Sequence, residues 1–291
     1  MPHPCVCLKL LNNQVNEKLS IASRLKLSTA LALAVPDRLE SVFMSKNGAV
    51  IDVLAIGAHP DDAEIHAGGT LLRMAALGYQ TGILDMTRGE SSTRGTPEER
   101  ALEAAQAARV LGLLHRETLD LGDGRLVDTL DARTALVAAF RRLRPRIILT
   151  HHWEEPHPDH VATAQIVRAA AYLAGLAAWT PTEGVERYRP HAILHFGLPR
   201  WVPPSLVVDV SDWAERKEQA IRCHASQLHA PGGGGLQTSV SAVSFLNHVD
   251  ARHRSYGALI QETHAEAFFV REALVVNDPV QLFPRPMGLF Q

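Results

Sequence analysis

Ile51-Asp52-Val53-Leu54-Ala55-Ile56-Gly57-Ala58-His59-Pro60-Asp61-Asp62-Ala63-Glu64 is the stretch on which the fold turns. Its first half is a β-branched, apolar run of strand length, and its second half is a polar loop rich in carboxylates. Further along, Arg146-Ile147-Ile148-Leu149-Thr150 repeats the arrangement: a buried-type strand, a polar loop, then His157-Pro158-Asp159-His160 opening a helix over 159–176. Strands and helices alternate around these two stretches: strand 51–58, helix 67–77, strand 81–87, helix 97–112, strand 116–121, helix 130–143 and strand 146–151. Consecutive βα units of this kind imply an α/β fold, a Rossmann-like, mostly parallel sheet with right-handed crossovers and helices on both faces. Helix 97–112 has the clearest start, with Thr96 as cap, Pro97 at the first position and Glu98 and Glu99 in the first turn.

Both polar loops follow strand carboxyl ends, the edge of an open sheet where ligands bind at a reversal of strand order. If the strands beginning at Ile51 and Arg146 are neighbours across that reversal, residues about a hundred positions apart converge. A catalytic zinc site needs three protein ligands, an open position for water and a base that does not ligate. His59, Asp62 and His160 would hold the ion, and Asp61 is left over as the base. Pro158 suits a first helical position, so His157 and His160 can project from one face, one ligating while the other meets substrate. Asp159 between them is a candidate acceptor that orients a neighbouring imidazole.

Each motif alone has a plainer reading. A single His59 after a strand is more often a satisfied core or loop histidine, and Asp61-Asp62 alone more often a helix cap. The pair is more specific, because both fall at strand carboxyl ends and jointly supply three ligands and a base. Glu64 is expected to support backbone or a neighbouring side chain, His66 and His152 to be structural, and Cys223 to be a packed thiol. The loop after the second strand carries Arg88 and Arg94, with Arg100 on the next helix, as candidates for binding sugar hydroxyls or carboxylates. Their plain reading is a solvated loop paired to Glu90, Glu98 or Glu99.

His59-Pro60-Asp61-Asp62, followed after the fourth strand by His157-Pro158-Asp159-His160, resembles the LmbE-like (PIG-L-like) zinc de-N-acetylases, which remove acetyl groups from N-acetylglucosamine conjugates. The likeness spans about residues 51–278. Asp61 to Ile65, Arg222 to Gln227 and Ala265 to Phe269 look most like the branch acting on N-acetylglucosaminyl malate in bacillithiol biosynthesis. His264 departs from it, since tyrosine is expected there. The resemblance implies His59, Asp62 and His160 as metal ligands, Asp61 and His157 as catalytic groups with Asp159 beside them, and Arg100 as the favoured substrate contact. It further implies Zn2+, a small sugar conjugate as substrate and a homo-oligomer. Iron, manganese or cobalt would also suit these donors. Alternatives are a mycothiol-type, glycolipid or antibiotic-sugar deacetylase, a thiol-conjugate amidase, or a non-catalytic metal-containing sugar-binding module. The spare Asp61 argues against the last, because a structural site is closed by its ligands.

With 291 residues and a formal charge of -2, the chain offers one large domain with an extension and no broad basic face for nucleic acid. No run reaches the ~18 apolar residues of a membrane span. Three cysteines without a paired spacing suit a reducing cytoplasm. Residues 1–49 read as an N-terminal extension ahead of a deacetylase domain at 50–291, or as a start codon assigned too early, with Met44 as the later candidate. A secretory signal is the other reading, since Lys18, Arg24 and Lys26 precede an apolar stretch ending Ala32-Leu33-Ala34.

After residue 176, strands at Ala192–Phe196 and Leu206–Val210 extend the sheet, and a helix Asp212–Gln227 is capped by Asp212 or Ser211. Gly232 to Gly235 form a flap or a plain flexible loop and no phosphate cradle, because no lysine follows. A helix Val243–Leu259, a strand-like Phe268–Val276 and a surface tail Pro279–Gln291 complete the reading.

Overall fold

Val53–Gly57 (β1) is buried at every position, as a continuous apolar run must be when helices cover both sides of a parallel sheet. The computed structural model describes residues 50–179, 185–229 and 236–282. The readings of residues 1–49, of the glycine run and of the tail beyond 282 fall outside the described residues.

The chain continues through α1 (Asp62–Ala76), β2 (Thr81–Asp85), α2 (Pro97–Leu111), β3 (His115–Thr118), α3 (Leu130–Leu143), β4 (Ile147–His151), α4 (Pro158–Ala174), β5 (Ala192–Phe196) and β6 (Leu206–Asp209). A 3-10 turn at Ser211–Trp213 leads into α5 (Ala214–Arg222), followed by α6 (Phe245–Ala258), β7 (Ala265–Val270) and α7 (Pro279–Leu282). Among the described residues, seven strands form one sheet in the order β3-β2-β1-β4-β5-β7-β6. β1 pairs in parallel with β2 on one side and β4 on the other, Val53 opposite both Thr81 and Ile147. The chain therefore builds outward to β3 and returns to lay β4 beside β1, which puts the reversal of strand order between the strands that precede the two motifs. β7 runs antiparallel to both β5 and β6.

Alternate residues of β1 serve two cores. Leu54 and Ile56 pack with Leu136, Phe140, Ile166 and Val167 from α3 and α4. Val53 and Ala55 pack with Leu71 of α1, Leu111 of α2 and Ala220 of α5 on the opposite face. The three-layer α/β architecture expected from the alternation is thus present. No helix among the described residues is long and apolar enough to cross a membrane.

Thr96 caps α2 as anticipated, its hydroxyl accepting the Glu99 N–H at 3.2 Å, with Pro97 inside the first turn. Several boundaries differ, three of them for reasons visible in the packing. α1 begins at Asp62 and not at 67, so Gly68-Gly69 lies inside it and does not mark its start. A Cβ on Gly69 would stand 2.7 Å from the Val210 Cβ, and the glycine therefore admits β6 and β7 to the helix surface. The helix expected over 212–227 divides into the 3-10 turn and α5, and neither Ser211 nor Asp212 caps it. Ser211 is engaged otherwise, its hydroxyl 3.4 Å from the His264 carbonyl. β7 starts at Ala265 and ends at Val270, ahead of the apolar run read as Phe268–Val276. Glu266 hid its start: a fully buried glutamate does not look like a strand residue, but here it accepts the Gly69 and Thr70 amides at 2.8 and 2.7 Å and pairs with Lys217 at 2.6 Å.

Candidate metal centre

The loops that leave β1 and β4 meet across the reversal point. His59, Asp62 and His160 place one donor atom each within 4.8 Å of one another. Asp62 stands between the two rings, its Oδ2 3.5 Å from His59 Nδ1 and its Oδ1 3.4 Å from His160 Nε2. Ligand atoms bound tetrahedrally at zinc distances are about 3.3 Å apart. The donor types and spacings fit a divalent cation.

The electrostatics agree with that fit. Burial alone would lower the pKa of His59, but hydrogen bonds with Asp123, Asp159 and Asp62 raise it to about 12. His160, likewise opposed by burial, is raised to about 10 by Asp62 and Glu155. Asp62, despite burial, is held well below the usual carboxylate range by His160 and His151. A pocket that draws protons this strongly onto imidazoles is one built for positive charge.

Asp61 and Asp62 are neighbours with divergent directions. Asp61 adopts φ 130°, outside the ordinary regions for a non-glycine residue, a conformation that costs about 1–3 kcal/mol and that surrounding packing must sustain. Asp62 begins α1 and faces the two imidazoles, while Asp61 lies towards Arg100, whose Nη2 is 3.8 Å from its Oδ2. Burial raises the Asp61 pKa to about 6 against the pull of Arg100. His157 is the N-cap of α4 and is exposed, its ring 4.8 Å from that of His160 and 4.9 Å from that of His59. Its Nδ1 accepts the Asp159 N–H at 3.2 Å, which leaves the proton of the neutral ring on Nε2. Burial and the neighbouring His160 and His59 lower its pKa. Asp159 sets its Oδ2 3.2 Å from His59 Nε2 and also accepts the Gly124 N–H at 2.7 Å.

The three arginines have separate situations. Arg88 is half-exposed at the ligand edge and pairs through Nε with Asp120 Oδ1 at 2.8 Å. Arg94 donates from Nε to the Ser226 carbonyl at 3.0 Å. Arg100 is 3% exposed and donates to the Pro60 and Gly89 carbonyls at 2.7 and 3.2 Å, joining the two loops beside Asp61.

Other residues of the motifs form a layer underneath. Glu64 is fully buried and paired with Arg116 and with His224, 3.0 Å away; with these partners its pKa falls to about 2 although burial opposes it. Gln227 donates to the Arg94 carbonyl at 2.6 Å, so the stretch from His224 to Gln227 ties the arginine loop down. His264 lies away from the donors, paired with Asp250 at 2.9 Å.

Glu155, Asp123 and His151 belong to the centre although the sequence did not single them out. Asp123, between two glycines after β3, puts Oδ1 3.1 Å from His59 Nε2, so two carboxylates share that nitrogen. Glu155 contacts His151 Nδ1 at 3.2 Å and His160 Nδ1 at 2.6 Å. Through those two rings its pKa drops to about 2 against the effect of burial. Position at the ligand edge was the available signal for all three, but it does not tell an engaged carboxylate from a solvated one.

Comparison with known proteins adds to this geometry. Residues 54–171 match the family described as PIG-L, GlcNAc-PI de-N-acetylase. The chain is 33% identical over 186 residues to the diacetylchitobiose deacetylase of Thermococcus kodakarensis, covering 60% of this chain and 70% of that one. It is 26% identical over 192 residues to the 4-oxalmesaconate hydratase of Pseudomonas putida, covering 60% and 74%. Among solved structures it is similar to the conserved protein TT1542 from Thermus thermophilus, with a TM-score of 0.70 and 37% identity over 78% of this chain and 98% of that one.

Proposed function

The chain belongs to the PIG-L de-N-acetylase family, and on that premise we propose that it is a zinc-dependent hydrolase of N-acetylglucosamine conjugates, with N-acetylglucosaminyl malate of bacillithiol biosynthesis as its substrate. The observation that carries the reading is the meeting of His59, Asp62 and His160 around one point, with Asp61 buried beside them and outside the donor set. A cation held there would polarise the acetyl carbonyl and make water acidic enough to attack near neutral pH. The protein's own groups then move the protons. Asp61 takes the proton of the attacking water and passes it to the departing amine. Nε2–H of His157 donates to the oxygen on which charge develops, and it can do so as a neutral ring because Nδ1, accepting the Asp159 N–H, leaves the proton on Nε2. Asp159 holds His59 in register. Arg88 and Arg94, on the loop at the same edge, supply positive charge for the malate carboxylates.

Likeness to a hydratase favours one second reading, addition of water to an unsaturated acid at the same donors. Acetate release across a panel decides between them: the malate conjugate, its inositol counterpart, diacetylchitobiose and an N-acetylated antibiotic sugar, each with zinc, iron, manganese or cobalt. Preference for the malate conjugate supports the full reading. Preference for another acetylated sugar keeps deacetylation and removes malate, and no acetate from any of them removes deacetylation.

A further inference from the structure

Resting on the reading of His59, Asp62 and His160 as metal ligands, we propose that Glu155 is a positioning residue that sets the centre's affinity for its cation by bracing two ligands at once. Its Oε2 lies 2.6 Å from His160 Nδ1, so the ring keeps its proton there and Nε2, 3.4 Å from Asp62 Oδ1, is the nitrogen left to meet a cation. Its Oε1 lies 3.2 Å from His151 Nδ1, and the two rings stack at 3.9 Å, so a single carboxylate spans both. His151 Nε2 accepts the Ala58 N–H at 3.1 Å, and the same nitrogen lies 3.2 Å from Asp62 Oδ2. Glu155 thus reaches one ligand directly and a second through His151, and links the end of β1 to the start of α4.

The chain after β5 closes over this carboxylate. Gly197 adopts φ 68°, and a Cβ there would overlap Glu155 Oε1. The side chain of Glu155 is 9% exposed, which leaves it little room to swing away. Only a carboxylate satisfies both rings: a glutamine would offer one oxygen and one NH2 group, and the NH2 would oppose whichever ring Nδ1–H it met. Aspartate keeps the charge but is one methylene short of spanning both rings.

The experiment compares zinc affinity of the full chain with its Glu155→Gln, Glu155→Asp and His151→Gln variants by chelator competition, alongside thermal unfolding of the metal-free proteins. Glu155→Gln should weaken zinc binding by about 10–100-fold, with Glu155→Asp in between. The 15N shifts of the His160 ring, observed in the metal-free protein, should show its Nδ1–H population reduced in Glu155→Gln, a change that a merely structural role would not produce. If Asp62 is braced through His151, Glu155→Gln and His151→Gln will be less than additive in affinity. Zinc affinity within about threefold of wild type in folded Glu155→Gln overturns the proposal; if that variant does not fold, wild-type affinity in both Glu155→Asp and His151→Gln overturns it. His160→Ala separates the premise from the inference, since unchanged affinity there removes the ligand reading itself. Absence of acetate release by the zinc-loaded wild type would remove the enzymatic reading and leave these affinities interpretable.

Discussion

His59 Nε2 lies 3.2 Å from Asp159 Oδ2, so the loop after β1 and the first turn of α4, a hundred residues apart in sequence, hold one another at the centre. The contact commits the second nitrogen of His59 and leaves Nδ1 facing Asp62. Asp159→Asn keeps the shape and the acceptor for Gly124 but removes the charge on His59. Zinc affinity, measured by chelator competition, should fall about 10–100-fold. Unchanged affinity would mean that the contact does not orient the ring.

Asp61→Asn addresses the base. Asparagine tolerates positive φ better than most residues, so the backbone at φ 130° should survive the change. Zinc content should stay as in the wild type while kcat for acetate release drops about 10²–10⁴-fold. Near-normal turnover would move the proton transfer to another group.

Arg88 tests the aglycone. Its guanidinium is half-exposed and held by Asp120 at one nitrogen. Arg88→Ala should raise KM for N-acetylglucosaminyl malate about tenfold, the scale of one charge-assisted hydrogen bond, and leave KM for uncharged diacetylchitobiose unaltered. An equal rise for both substrates would assign Arg88 to the loop and not to the malate.

His253 gives a pH dependence remote from the centre. It is buried, its Nε2 faces Lys217 Nζ at 2.9 Å, and burial followed by the charge on Lys217 holds its pKa well below the ordinary 6.5. Below 6.5 the unfolded chain takes up a proton that the folded chain refuses, so this group's contribution is complete above 6.5 and is lost as pH falls. His253→Gln keeps an acceptor for Lys217 and does not titrate. Relative to that variant, the wild type should lose stability by up to about 1.4 kcal/mol per pH unit between about 6.5 and 5. Urea unfolding of both proteins at several pH values measures it, and parallel curves would show that His253 takes up its proton equally in the folded and unfolded states.

The parallel half of the sheet, and the placing of the two motifs at the ends of neighbouring strands, were legible because each is written locally. Strand-length apolar runs announce β1 and β4, and each motif follows its strand directly. Residues that complete the centre were harder to see. Glu155 and Asp123 are ordinary loop acids in sequence, and only closure of the loops decides that each ends on a histidine nitrogen. Arg100 shows the opposite difficulty: charge and position advertise a ligand contact, whereas the side chain is buried against two carbonyls of its own chain. The start of the antiparallel strand β7 was not legible because Glu266, paired with Lys217 and accepting the α1 amides, interrupts the apolar pattern that marks a strand.

Among the described residues, strand β6 has β7 as its sole neighbour in the sheet, and β7 comes more than fifty residues later in the chain. While the polypeptide is being synthesised, β1 to β5 can assemble in the order they leave the ribosome, but Leu206–Asp209 must wait unpaired. Translation has to reach Ala265–Val270 before that edge can be filled, and a ribosome stalled earlier would display an open, sticky border at β5 to any passing strand.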